Sequence, residues 1–247
     1  MRKDRKLQKL LQKTVFDYEK FHNITKISNF QTELLDRKVN FVPSQYKAYA
    51  RKKEILLPKP DLTNGLSLKK VLLNRSSAHN VRAKEIKLIS LSSLLFYSGG
   101  IKRNSPIQKR FYPSAGACYP LEIYLILNRT EISQGIYHYY TKNHSLEKLW
   151  KIEKEEMNDI FSHDWVKNTG AVILITGIFE RTTSRYGERG YRHVLIEVGC
   201  LMQNIYLMSE ANGLSCNAVG GYIDESINKL LEIDGSSEAI LAVITIN

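Results

Sequence analysis

The chain has 247 residues, 43% of them apolar and 25% charged, with a formal net charge of +11; that is long enough to bury a substantial core in one large domain or two small ones. It lacks the run of about eighteen apolar residues that a membrane span needs, and its basic start carries no continuous apolar segment with a cleavage site, so neither a span nor a signal peptide is expected. Three widely spaced cysteines (Cys118, Cys200, Cys216) are too few for a disulfide framework or a zinc site, and a cytoplasmic protein fits best.

The charge is uneven: residues 1–60 hold 15 Lys and Arg against 6 Asp and Glu, leaving only +2 for the remainder. An acidic partner and a solvated helix face are both readings of that arm. No nucleic-acid motif accompanies the charge, so nucleic acid is not expected as a partner. Leu7, Leu10, Leu11, Val15, Tyr18 and Phe21 recur at spacings of three and four, which predicts an amphipathic helix. Residues 38–65 contain Pro43, Pro58 and Pro60 without a sustained period and read as an extended, wrapping connection. The compact domain is expected to begin near Leu66, giving an arm of 1–65 and a domain of 66–247.

Ser67 is a candidate N-cap for a short helix leading into Arg75, Ser76, Ser77, Ala78 and His79. Such a cluster suits a phosphate, because a guanidinium offers paired donors and hydroxyls add more. Ile86 to Phe96 reads as an apolar core helix closed by Gly99-Gly100. Then comes FYPSAGACYP, residues 111–120, with small residues between two prolines ahead of the apolar run Leu121–Leu127. Pro113 fixes its backbone and Gly116 can take a positive φ, so the chain can present backbone N–H groups to a flat ligand; a tight loop entering a strand is the alternative.

LEIYLIL reads as a strand and residues 135–149 as a hairpin around TKNH, in which His138 and His144 lack metal-ligand spacing. KEEMNDIF is expected as a short exposed helix, AVILITGIF as a buried strand, and residues from about 188 to 212 as a long helix closed by Gly213. In that helix Gly199, Cys200 and Ser209 are small enough for a close helix approach, and Gln203 and Asn204 are amides in apolar surroundings that must find partners. SCNAVGGY, DESINKLLEI and AILAVITI complete the chain as strand and glycine turn, helix, and strand. Without a dinucleotide fingerprint, this alternation predicts an α+β sheet-and-helix sandwich.

Three ordered motifs carry a family resemblance: YPSAGACYP, TSRYGERGYRHVLIEVGCLMQN (183–204) and VGGY (219–222), with a weaker match at FHNITK (21–26). Over most of residues 66–247 the chain resembles SagB-type dehydrogenases, nitroreductase-superfamily enzymes that oxidise azolines in peptide natural products. The resemblance implies a nitroreductase-like sandwich with FMN at a homodimer interface, a precursor peptide as substrate and a cyclodehydratase as a further partner. It implies FMN contacts from Arg75, Ser77 and His79 to the phosphate, from Pro113, Ser114 and Gly116 to the ring, and from Asn204, Gly220 and Gly221. His79 stands where the family usually has Arg or Lys.

The implied reaction turns thiazoline or oxazoline into thiazole or oxazole, with oxygen as electron acceptor. Tyr186 matches the family's tyrosine, and Arg185 stands where the relatives have lysine. Arginine stays protonated and cannot act as the base, so that role falls to Tyr186 with the Arg185 charge beside it. A small-molecule oxidoreductase using a nicotinamide donor and an inactive partner-binding scaffold are the other readings. Cys118 has no identifiable base and reads as packing.

Overall fold

The computed structural model describes residues 18–26, 43–62, 65–78, 84–102 and 108–247. Its strands are β1 (Lys53–Leu56), β2 (Leu121–Leu127), β3 (Gly135–Tyr140), β4 (Ser145–Trp150), β5 (Ala171–Ile178), β6 (Cys216–Val219) and β7 (Glu238–Ile246). They form one antiparallel sheet in the order β1-β4-β3-β2-β5-β7-β6. The helices are α1 (Tyr18–Ile24), α2 (Leu68–Asn74), α3 (Leu88–Gly99), α4 (Glu180–Tyr186), α5 (Arg189–Ala211) and α6 (Asp224–Leu230).

Strand periodicity explains why β2 is buried throughout. Leu121, Ile123, Leu125 and Leu127 join one core with Leu91, Leu94 and Leu95 of α3 and Val194, Val198, Leu201 and Ile205 of α5, where spacings of three and four make an apolar stripe. Tyr124 and Ile126 point the other way, into a second core with Ile227 of α6. The result is a sheet covered on both faces, the expected sandwich. Residues 53–56, within the stretch read as an extended arm, supply edge strand β1. Of the predicted N-terminal helix, residues 1–17 lie outside the described residues, and Tyr18–Ile24 is helical.

Within one copy a Cβ on Gly199 would meet nothing within 4 Å. Gly99 is tightly packed against β2: a Cβ would stand 2.6 Å from Ile123 Cδ1 and 3.4 Å from Leu201 Cδ1. Two local expectations, KEEMNDIF and Gln203, need correction. KEEMNDIF is not an exposed helix: Lys154–Met157 is a single 3₁₀ turn, and Met157, Ile160 and Phe161 are buried in the second core. Gln203 is exposed rather than set in an apolar interior.

Towards the β1 side, the second face of the sheet is polar. Buried His138 bonds Glu147 Oε2 through Nδ1 at 2.7 Å and Glu122 Oε2 through Nε2 at 2.9 Å, while Arg181 Nη1 lies 2.6 Å from Glu122 Oε1. The arm closes over this layer: Tyr49 N donates to Glu147 Oε1, and Lys47 Nζ donates to the Tyr124 hydroxyl and Glu238. Burial opposes ionisation of Glu122, yet the His138 bond and charge with Arg181 hold it down to about 2. Burial likewise opposes protonation of His138, yet Glu122 and Glu147 raise it above its ordinary value.

The Glu122 contribution to stability is therefore present above the ordinary 4.5 and lost as pH falls towards about 2. The His138 contribution is present below the ordinary 6.5 and lost as pH rises through the raised value. Replacing His138 with Ala leaves two buried carboxylates short of a partner and is expected to cost about 3–5 kcal/mol in urea unfolding at neutral pH. A loss under about 1 kcal/mol would contradict a charged, paired His138.

Candidate functional site

The site grows from the turn between Arg110 and β2. Ala115–Ala117 forms a single 3₁₀ turn, and three residues close together take left-handed backbone: Gly116 (φ 58), Ala117 (φ 54) and Tyr119 (φ 47). Glycine accepts that conformation freely, but each L-residue pays roughly 1–2 kcal/mol. Such strain persists only where the surroundings over-determine the backbone. Here they do so from several directions.

Ser114 Oγ accepts from Tyr119 N at 2.8 Å, closing the loop on itself. Gln45 of the arm donates from Nε2 to Ala117 O at 2.6 Å, and its own carbonyl accepts from Arg110 Nη2 at 2.9 Å. Buried Arg110 also donates from its backbone N to the Tyr119 hydroxyl and from Nη1 to Leu121 O. Arg181 on α4 donates to Tyr119 O, and Glu197 on α5 accepts from Ala115 N at 3.0 Å. On the outer face Pro113 and Gly116 are exposed.

Onto that outer face come Arg185 and Tyr186, the last two residues of α4. Arg185 Nη1 donates to Gly116 O at 3.3 Å across 69 residues of sequence. A Cβ on Gly116 would stand 2.5 Å from the Tyr186 hydroxyl and 2.6 Å from Arg185 Nη1. Tyr186 is half-buried and packs edge-on to His193 at 5.2 Å, while Arg185 is exposed with its guanidinium carbon 5.5 Å from the Tyr186 ring centre. Sequence reading left Tyr186 in an undefined segment; the structure places it at a helix end whose cap, Gly187, has φ 56.

The proposed phosphate residues stand elsewhere. Ser67 caps α2 as expected, accepting from Lys70 N, and delivers the chain to Arg75. The Arg75 guanidinium lies 5.4 Å over the Tyr206 ring, and exposed Ser77 Oγ is 3.2 Å from the Tyr206 hydroxyl, which accepts from Ala218 N. Ala78 N donates to Cys216 O, fixing the segment along the β6 edge. His79 lies outside the described residues. Gly220 is exposed just beyond β6, and Gly221 O accepts from Ser162 N at 2.9 Å.

Asn204 Nδ2 donates to Ser98 O at 3.2 Å, so that amide ties α5 to α3. Among the described residues no hydrogen bond or ion pair joins Arg75 or Ser77 to residues 113–116 of the same copy. Arg189 and Arg192 hold α1 instead: Arg189 Nη1 donates to Thr25 O, and Arg192 Nη2 donates to His22 O and Thr25 Oγ1. Tyr191 packs edge-on against Phe21.

Sequence reading missed Glu197, Gln45 and Arg181. Glu197 is an acid on the buried stripe of α5, 3% exposed, and an isolated charge among Val194, Val198 and Leu201 was the available signal. Burial pushes its carboxyl up to about 7 against the Ala115 N–H, the Ser114 hydroxyl and Arg110. Burial also pushes the Cys118 thiol up, with Arg185 opposing, as befits a packing cysteine. Among the described residues no group of His, Cys, Asp and Glu could hold a metal, and no helix is long and apolar enough to cross a membrane.

These residues suit a flavin mononucleotide. The exposed Pro113 ring and the backbone around it offer a surface where a flat ring can lie, beside the Arg185 and Tyr186 side chains that rest on Gly116. Arg75 and Ser77 leave a guanidinium and a hydroxyl at the surface for a phosphate.

Residues 72–246 match the Nitroreductase family model. A protein of Methanocaldococcus jannaschii named as a nitroreductase is 32% identical over 179 residues, 70% of this chain and 88% of that protein. The microcin B17-processing protein McbC of Escherichia coli is 31% identical over 143 residues, 55% of this chain and 53% of that protein. A crystal structure from Anabaena variabilis, also named as a nitroreductase, superposes with a TM-score of 0.74 at 28% identity, covering 92% of this chain. This chain spans 45% of that one, and about half the length of the Escherichia coli protein.

Replacing Gly116 with Ala forces an L-residue into left-handed backbone and drives its Cβ against Tyr186 and Arg185. We expect unfolding free energy in urea to fall by about 1–2 kcal/mol. A variant as stable as the parent would contradict this loop conformation.

Proposed function

The chain belongs to the nitroreductase family, and from that footing we propose that it is an FMN-dependent dehydrogenase of peptide modification. Its substrate is a thiazoline or oxazoline ring in a ribosomally made precursor peptide, its product the thiazole or oxazole, and its final electron acceptor oxygen. One observation carries the reading: Tyr186 and Arg185 come from a distant helix to rest on Gly116 of the loop that would seat the flavin ring. The similarity to a microcin-processing protein supports a peptide over a free small molecule.

Pro113, Ser114 and Gly116 would hold the ring, and Arg75 and Ser77 the phosphate, with Asn204, Gly220 and Gly221 as further contacts. In keeping with the resemblance, we propose a homodimer in which a second copy completes the seat. A cyclodehydratase that makes the azoline is the expected working partner, and the cytoplasm the expected compartment. Aromatisation removes two hydrogens; FMN, when bound, supplies the acceptor for one of them together with both electrons.

The other hydrogen leaves as a proton from the ring carbon that was the amino-acid α-carbon. The Tyr186 side chain, resting against the loop at Gly116, is the group to take it: as the phenolate it accepts the proton and becomes the phenol. General-base catalysis of this kind contributes roughly 10²–10⁴-fold. Arg185 keeps its cation beside that hydroxyl and is itself anchored by Gly116 O, so the pair is positioned by the same backbone that meets the ring. Arginine holds its charge where lysine could lose it, so here the positive member of the pair serves electrostatics and placement alone.

The test is an absorption spectrum of the purified protein, FMN reconstitution, and incubation with an azoline-containing peptide followed by mass spectrometry. The expected result is a yellow protein that removes two hydrogens per ring, with Tyr186→Phe slower by about 100-fold or more. A colourless protein that takes up no FMN would overturn the reading. Rapid NAD(P)H-driven flavin reduction with no azoline turnover would instead favour a small-molecule nitroreductase.

A further inference from the structure

We propose that Glu197 is a positioning residue for the flavin-seating loop, and that it takes up a proton from solvent when the flavin settles over that loop. The inference rests on the FMN reading. Its geometry is local. Glu197 Oε1 accepts from Ala115 N at 3.0 Å, between Ser114 and Gly116. Its Oε2 is buried and, among the described residues, has no hydrogen-bond partner.

A carboxylate in that position is poorly compensated. The Ala115 N–H and the Ser114 hydroxyl favour the charged form and Arg110 adds an attractive charge, while Oε2 has lost water without a hydrogen-bond partner among the described residues. The neutral acid costs less to bury, and the ordinary 4.5 is accordingly raised to about 7, chiefly by burial. A flat ring laid over Pro113 beside Gly116 covers exposed surface of this loop and excludes more water. Covering the group therefore favours its neutral form further, and by linkage a ligand that raises a carboxyl's pKa binds more tightly when the carboxyl is protonated.

The other groups around it leave the window clear. Burial pushes the neighbouring Tyr112 phenol up, with Arg110 opposing and Glu197 reinforcing. Cys118 is pushed up from its ordinary 9.0 by burial. His193, one turn away on α5, is pushed below its ordinary 6.5 by burial and by Arg189 and Arg192, so it is already neutral near pH 7. Arg110, Arg181 and Arg185 keep fixed charge.

The experiment titrates riboflavin, which lacks the titrating phosphate, into the full chain by fluorescence quenching at about pH 6.5 and about pH 8.5. The dissociation constant of the native chain is expected to rise with pH, up to about tenfold per unit by which the seated ring raises the carboxyl. Glu197→Gln keeps an oxygen for Ala115 N but cannot ionise. It is expected to bind at both pH values about as tightly as the native chain does at the lower one. Calorimetry on the native chain near pH 8, in buffers of different ionisation enthalpy, should show net proton uptake on FMN binding. That arm decides even if the variant fails to fold.

Flavin binding with no proton uptake, or an unchanged pH step in Glu197→Gln, overturns the inference and leaves the FMN reading standing. No binding of either flavin overturns both.

Discussion

A backbone loop with three left-handed residues, two of them carrying a Cβ, stays in place only if its neighbours make every alternative worse. That constraint organises the molecule. The loop between Arg110 and β2 is held at Ala115 by α5, at Gly116 by α4, at Ala117 by the arm and at Tyr119 by Ser114, Arg110 and Arg181. Since these tethers come from segments far apart in sequence, the loop takes its shape only once the sheet and both helices are assembled. What the strain maintains is an outer face where Pro113 and Gly116 are exposed and Arg185 and Tyr186 come to rest.

The same logic explains the charged layer behind the loop. Arg181 touches Tyr119 O on one side and Glu122 on the other, and Glu122 leads through His138 to Glu147 and the arm at Tyr49. A buried ionic chain of this sort adds little net stability compared with apolar packing, but it penalises any arrangement that breaks one pair. Gln45 stands four residues before Tyr49, so the segment that seals the ionic layer also fixes Ala117 O. Arm, polar layer and loop thus form one connected unit. The apolar core on the opposite face supplies the driving force for folding.

How much of this was legible in the sequence depended on range. β2, β5, the β3–β4 hairpin and α5 follow from local periodicity and emerged close to the expected bounds. The Lys154–Met157 turn was misjudged because its charged residues mask Met157, Ile160 and Phe161, which a second core recruits. Gly99 packs tightly because Ile123 lies across it, a contact that spacing alone does not reveal. Motif order flagged Pro113, Ser114, Gly116, Arg185 and Tyr186, and the structure brings the last two onto Gly116. Periodicity cannot say that Asn204 faces Ser98. Glu197 left only an isolated charge on an apolar stripe as its signal and Gln45 left none, because each acts on a backbone atom far away in sequence and backbone atoms leave no residue-type signal.

The most direct test of the loop as the flavin seat is hydrogen exchange with and without FMN, followed by mass spectrometry of peptides covering residues 111–120. If the ring lies on this backbone, its amides should exchange more slowly with FMN present. The segment around Arg75 to Ala78 should be protected with it, and the β3–β4 hairpin should be unchanged. FMN that binds yet leaves residues 111–120 exchanging at the same rate would contradict the assignment and move the seat elsewhere in the fold.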